Sequence, residues 1–232
     1  MADLPTWAQQ ARTTATHNLQ TLPALTGEEE DWRFTPPASL GLDANEPSAA
    51  AAAGSAVSPP EDGRRSARLV LADATPGVPQ LGALPEGVIV AELGQALIDH
   101  EDLVRTHLYS LIGFDDRPGA LNAASWQAGT FVYVPRGVHL ELPSETLLSV
   151  SGASAHVHAR TLVVVDEGAR ATVVDRYASP PPRWPCPRPP SWWCCPAASW
   201  STSASWSGAP VCATTPASPP PRTRTRGCGR WW

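Results

Sequence analysis

Gly129-Thr130-Phe131-Val132-Tyr133-Val134-Pro135-Arg136-Gly137-Val138 decides how the rest of the chain reads. Five β-branched or aromatic residues in a row favour a strand, Pro135 stops it, and Arg136-Gly137 turns the chain. Val138-His139-Leu140-Glu141-Leu142 then alternates apolar and polar side chains up to Pro143. Further on, Thr161-Leu162-Val163-Val164-Val165 and Ala171-Thr172-Val173-Val174 flank the turn Asp166-Glu167-Gly168-Ala169-Arg170. Short strands punctuated by Gly and Pro imply stacked rungs or a sandwich. Several runs are apolar on both faces, as strands of a buried parallel sheet are. Stacked rungs of a β-solenoid satisfy both signs.

Upstream the period changes. Arg68-Leu69-Val70-Leu71-Ala72-Asp73 and Val88-Ile89-Val90 are strand candidates, the second following turn chemistry at Leu84-Pro85-Glu86-Gly87. Leu93, Ala96, Leu97, Leu103, Val104, Leu108 and Leu111 fall at helical spacing and predict two short helices. Ala120 to Trp126 predicts a last apolar helical turn. Near the N-terminus, Trp7, Ala11, Ala15 and Leu19 share one face of a helix from about Thr6 to Leu22, which Pro23 ends. The Ala-, Gly-, Ser- and Pro-rich stretch from Asp43 to Ser66 reads as a flexible linker or insertion.

Composition excludes several classes. The 232 residues carry a formal charge of −5, which disfavours a general nucleic-acid binder. No run of eighteen apolar residues is present to span a membrane, and Met1 to Leu22 lacks the basic-then-apolar pattern of a secretory signal. The averages conceal a break. All 17 basic residues are arginine, whereas all five cysteines (Cys186, Cys194, Cys195, Cys212, Cys228) lie after residue 180. From Pro180 onward there is no Asp, Glu, Leu, Ile, Phe, Met, His, Asn or Gln.

Candidate chemistry is sparse. His100 and His107 share a helical face if no break intervenes, and His156-x-His158 places two imidazoles on one strand face. Neither pair has the third and fourth ligands a metal needs, and exposed or capping histidines are the plainer reading. Glu141, Glu145, Asp166 and Glu167 sit at turns or strand ends and form no evident acid–base pair of the kind a carbohydrate-active β-helix enzyme needs. No nucleophile elbow, phosphate-binding Gly-rich loop or Cys-x-x-Cys pair occurs before residue 180. The expectation is therefore a non-enzymatic protein with no catalytic, cofactor-binding or metal-binding residue of its own.

Taken together, the motifs resemble a family. Gly129 to Val138 resembles the motif at the entrance to the core of SufB/SufD proteins, scaffold subunits of the SUF iron–sulfur cluster assembly machine. Glu30-Asp31-Trp32-Arg33-Phe34-Thr35, Leu84 to Val90, Ala120 to Ala124 and Arg160 to Gly168 resemble further family landmarks in the same order. The Trp-Arg element favours SufD over SufB. The resemblance implies an α+β, mainly β fold: a helical N-terminal region, then the first rungs of a right-handed parallel β-helix, then a disordered tail. On this basis the chain divides into an N-terminal helical element (1–42), a linker (43–66), an α/β region (67–128), the start of the β-helix core (129–178) and a non-native tail (179–232). It also implies a cytoplasmic complex with a SufB-like subunit and a SufC-like ATPase, without nucleic acid or membrane. An iron–sulfur cluster would reside only transiently on the intact complex. The family's scaffold chemistry lies in the C-terminal half, which has no matching positions here. A plain structural or interaction module using its Pro-rich tail is the remaining alternative.

The tail reads as a shifted reading frame. Trp is encoded by TGG and Cys by TGT or TGC, so Trp192-Trp193-Cys194 read from the third base gives Val-Val. The same shift permits Leu-Glu-Tyr-Val-Ser-Val-Leu-Glu-Trp-Gly over Ser199 to Gly208, and Val-Arg-His-His-Ala over Val211 to Thr215. The shifted text regains Asp, Glu, Leu and His, and a one-base slip between about Tyr177 and Trp184 accounts for it. The competing reading, a cysteine ligand set, lacks zinc-type spacing.

Overall fold

The computed structural model describes residues 4–32, 34, 37, 64–73, 75–150, 157–178, 199–207 and 212–214. It is a mixed α/β structure. Helix α1 (Thr6–Thr21) ends where Leu22, extended before Pro23, leaves helical geometry. A single 3₁₀ turn (Glu30–Trp32) follows. After β1 (Ala67–Ala72) come the short β2 (Thr75–Pro76) and β3 (Gln80–Leu81), both antiparallel to β1. Then follow β4 (Ile89–Glu92), α2 (Leu93–Asp99), α3 (Glu101–His107) and α4 (Arg117–Ser125). The Glu92 carboxylate accepts from Gln95 N at 2.8 Å and so caps α2. Asp116 accepts from Gly119 N at 2.7 Å, and Pro118 stands in the first turn of α4, both favourable there.

From Ala128 the chain alternates between two sheets. Strands β5 (Ala128–Val134) and β7 (Ala159–Val165) pair in parallel in one sheet, Ala128 opposite Ala159 through Val134 opposite Val165. Strands β6 (Ser144–Ser149) and β8 (Arg170–Ala178) pair in parallel in the other, Ser144 opposite Val173 through Ser149 opposite Ala178. β1 adds to β6 in parallel, and β4 adds to β5 antiparallel. The turns that carry the chain between sheets lie one on the other. Gly137 N donates to Glu167 O at 3.0 Å, Asp166 N donates to Val134 O at 3.0 Å, and Gly137 and Gly168 share φ = 72°. Such a backbone favours glycine, which explains why both turns end in one.

Two cores follow from this layering. Val132, Val134, Val163, Val165, Ala171 and Val173 pack between the sheets. Phe131, Leu162 and Val164 point the other way and are covered by Leu93, Leu97, Val104 and Leu108 of the helical layer. β7 is therefore buried at every position, Arg160 and Thr161 included, beyond what the apolar run Leu162 to Val165 alone predicts. α1 docks on α4 through Leu19, Ala120 and Leu121, reinforced by side chains that bond to carbonyls. Arg12 donates to Trp126 O at 2.7 Å and lies over the Trp126 ring, and Asn18 donates to Phe114 O at 2.9 Å.

Two expectations change. The strand predicted at Val138 to Leu142 contracts to a single bridge, His139 to Arg170, because the stacked turn draws Leu140 N to Arg170 O and Arg170 N to Val138 O. The full strand falls instead on Ser144–Ser149, which is buried throughout although four of its six residues are polar. On α1, Ala8 is buried in place of Ala11, with Ala15 and Leu19 as predicted. Most of the 43–66 linker and of the tail expected to be disordered lies outside the described residues. Within that tail the backbone of β9 (Ser199–Ser207) runs antiparallel to β8, and that of β10 (Cys212–Thr214) antiparallel to β7.

Candidate functional site: two buried polar centres

One buried centre lies between the sheets. Each of the four alternating strands contributes one polar side chain at a single level: Thr130, Thr146, Thr161 and Asp175. Thr130 is in register with Thr161, and Thr146 with Asp175. Across the gap, the Thr146 and Thr130 hydroxyls are 3.0 Å apart, and Thr161 donates to Asp175 Oδ2 at 3.3 Å. Asp175 Oδ1 is enclosed and has no partner. Burial raises the Asp175 pKa, opposed by hydrogen bonds from Thr146 and Thr161. Thr146 has one proton, so when it serves Asp175, Thr130 becomes the donor to Thr146. Next along β8, burial and then the Asp175 charge push the Tyr177 hydroxyl pKa upward.

The second centre lies on the helix side of the same sheet. Arg160 is fully buried. Its guanidinium donates to Asn122 Oδ1 at 3.0 Å, Leu108 O at 2.9 Å and Ile112 O, and lies 4.7 Å from the Tyr109 ring centre. Leu108 caps the C-terminus of α3, where the helix dipole favours a cation. Burial lowers the Arg160 pKa, and Tyr109 acts the other way. Gly129, in register with Arg160, permits this approach: a Cβ there would lie 2.1 Å from Arg160 O and 3.0 Å from the Leu93 side chain.

These centres hold elements together; neither pairs a nucleophile with a base. The sequence candidates are dispersed. His100 separates α2 from α3, so the break comes between His100 and His107, and His100 instead packs 6.2 Å from the Phe131 ring. His158 precedes β7, while His156 lies outside the described residues. Cys212 is in β10, and the other four cysteines are outside. Among the described residues no group of three or more His, Cys, Asp or Glu could hold a metal ion, and no helix is long and apolar enough to cross a membrane.

The carboxylates considered for hydrolysis are divided between separate partners. Asp166 accepts from the Tyr133 hydroxyl at 2.8 Å, Glu167 pairs with Arg136 at the surface, and Glu145 is buried against arginines. Glu141 is exposed. The residues that sequence reading missed, Arg160 and Asp175, sat inside strands. A lone charge in an otherwise apolar strand was the available signal for Arg160.

Residues 69–145 match the SufBD protein N-terminal region. Over 96 residues the chain is 33% identical to the iron–sulfur cluster assembly protein SufB of Bacillus subtilis (strain 168), covering 41% of this chain and 21% of that protein. Over the same length it is 32% identical to an iron–sulfur cluster assembly SufBD family protein of Staphylococcus epidermidis and 31% to one of Staphylococcus haemolyticus. The match thus spans about a fifth of these relatives, 21% in each case. Residues 69–145, which lead from the helical layer into the alternating strands, are thus the part of this chain that is similar to the SufBD protein N-terminal region.

Proposed function

We propose that the chain is the front portion of a SufD-like scaffold subunit for iron–sulfur cluster assembly, acting without catalysis of its own in a cytoplasmic complex with a SufB-like subunit and a SufC-like ATPase. The observation that carries this reading is the alternation of β5, β6, β7 and β8 between two sheets with parallel pairing in each. Continued, it generates a parallel β-helix, whose rungs each bury a face against the next. The stacked Gly137 and Gly168 turns support that continuation, because they hold successive rungs in register. The cluster is cargo of the assembled complex, and the buried centres described above maintain the scaffold.

The tail belongs to this reading as a shifted frame. Its abrupt composition supports a one-base slip, as does the antiparallel run of β9 beside the parallel β1, β6 and β8. Resequencing codons 175–190 should find the slip, with SufBD-like text continuing downstream in the neighbouring frame. A clean sequence with no such continuation overturns the frame assignment. The frame-corrected product should co-purify with SufB-like and SufC-like subunits; its failure to do so, while folding normally, overturns the scaffold role.

A further inference from the structure

A stack of alternating strands ends on two strand edges, and a bare edge pairs readily with another chain. Here the backbone of the tail lies along both. β9 runs the length of β8, from Ser207 opposite Arg170 to Ser199 opposite Ala178. β10 sets Thr214 opposite Thr161 and Cys212 opposite Val163 on β7. The sequence of β9 has a period of two: Ser199, Ser201, Ser203, Ser205 and Ser207 alternate with Trp200, Thr202, Ala204 and Trp206. Residues directly opposite in an antiparallel pair share a face of the sheet. The serine positions therefore fall on the outer face, with Arg170, Thr172, Val174 and Arg176. The other four positions fall on the inner face, opposite Tyr177, Asp175, Val173 and Ala171. On that face Ala171 and Val173 belong to the core between the sheets, and Asp175 to the buried polar centre.

A slip of one residue would exchange the two sets. The pairing is thus the one in which the alternation of the tail matches that of the sheet. The polar centre supplies a second, independent match. Thr130 and Thr146 form one level of it, and Thr161 and Asp175 the next. The tail brings Thr214 into register with Thr161, and Thr202 into register with Asp175. Two separate tail strands each set a threonine at this level, beside a carboxylate whose Oδ1 has no partner. We infer that β9 and β10 form an end cap: they take the place of a further rung, close both strand edges and keep a second copy of this chain from pairing there. The inference uses strand pairing and sequence alternation, not the family or the reading frame, so it stands apart from the scaffold reading.

The test uses the full chain under reducing conditions, read by amide hydrogen exchange in β8 and by mass in solution across a range of concentrations. The wild type is expected to be a monomer with slow exchange along β8. Neighbouring N–H groups of a strand point to opposite sides, so Ser203→Pro combined with Ala204→Pro removes a donor to β8 whichever of the two faces it. In that double variant the β8 amides that pair with β9 should exchange about tenfold faster or more, and the protein should associate as its concentration rises. Unchanged exchange, or fast exchange already in the wild type, overturns the cap. Faster exchange in a variant that stays monomeric overturns its role against a second copy. Should the double variant not fold, Thr202→Asp, opposite Asp175, is set against Ser203→Asp on the outer face. Release of the edge by the first alone supports the cap, because like charges directly opposite repel. Equal effects from the two, or none, overturn it.

Discussion

Arg160 and Asp175 are both ionisable groups taken out of water, yet the structure treats them differently. Arg160, between sheet and helices, meets three oxygen acceptors and an aromatic face through its terminal nitrogens, with Nε alone left without an acceptor. Asp175, between the two sheets, meets hydroxyls and keeps one oxygen without a partner. An arginine cannot shed its charge in a protein, so its site must supply several acceptors to that charge. An aspartate can take up a proton and become neutral, so its site tolerates incomplete pairing. Helix–sheet packing is thereby locked at every accessible pH, while sheet–sheet packing retains a titratable member.

Removing the arginine should break this contrast most strongly. Arg160→Met leaves two carbonyls and an amide oxygen without a donor, and is expected to cost about 3 kcal/mol or more in urea unfolding. Arg160→Lys should recover only part of this, because an ammonium cannot reproduce the flat fork. Next comes Gly129→Ala. Its new methyl would collide with Arg160 O and Leu93, so a loss of roughly 2 kcal/mol is expected in the same assay.

Asp175→Asn sharpens the comparison through pH. The folded-state pKa is raised, so the folded protein holds this proton more tightly than the unfolded chain does. Stability from this group is full below the unfolded aspartate pKa of about 3.9 and is lost as pH rises through the higher folded value. Relative to wild type, Asp175→Asn should therefore gain as pH rises from 4 to 8. Unfolding midpoints with the same pH dependence in both proteins would remove Asp175 from this role. Arg160→Met should show no such widening.

Smaller effects belong to the turns. Gly137→Ala places a side chain at φ = 72° with open space around it, so backbone strain alone acts and about 1 kcal/mol is expected. Arg136→Ala removes an ion pair whose two side chains are each 77% exposed, and should leave the unfolding midpoint within error.

Most of the framework was legible in the chain itself. The strands around Val132, Val163 and Val173, the turns ending in Gly137 and Gly168, and the helices before and after His100 follow from periodicity, glycine and proline. The strand at Ser144–Ser149 was not legible. Its polar residues are paid for by partners distant in sequence: Glu145 by Arg65 and Arg176, Thr146 by Thr130. The Val138 to Leu142 alternation suggested a strand that the turn stack reduced to one bridge.

The sequence alone determined where chain elements start and stop, because capping, turn and periodicity effects act within a few residues. It determined too that Gly129 stands where bulk is excluded only in the sense of naming a glycine. Tertiary structure decided the rest: that alternate strands share a sheet, that Arg160 reaches Leu108 O and Ile112 O, and that Asp175 faces three threonines. Those outcomes join residues tens of positions apart, and the free energy of burying a charge depends on which groups the fold brings to meet it.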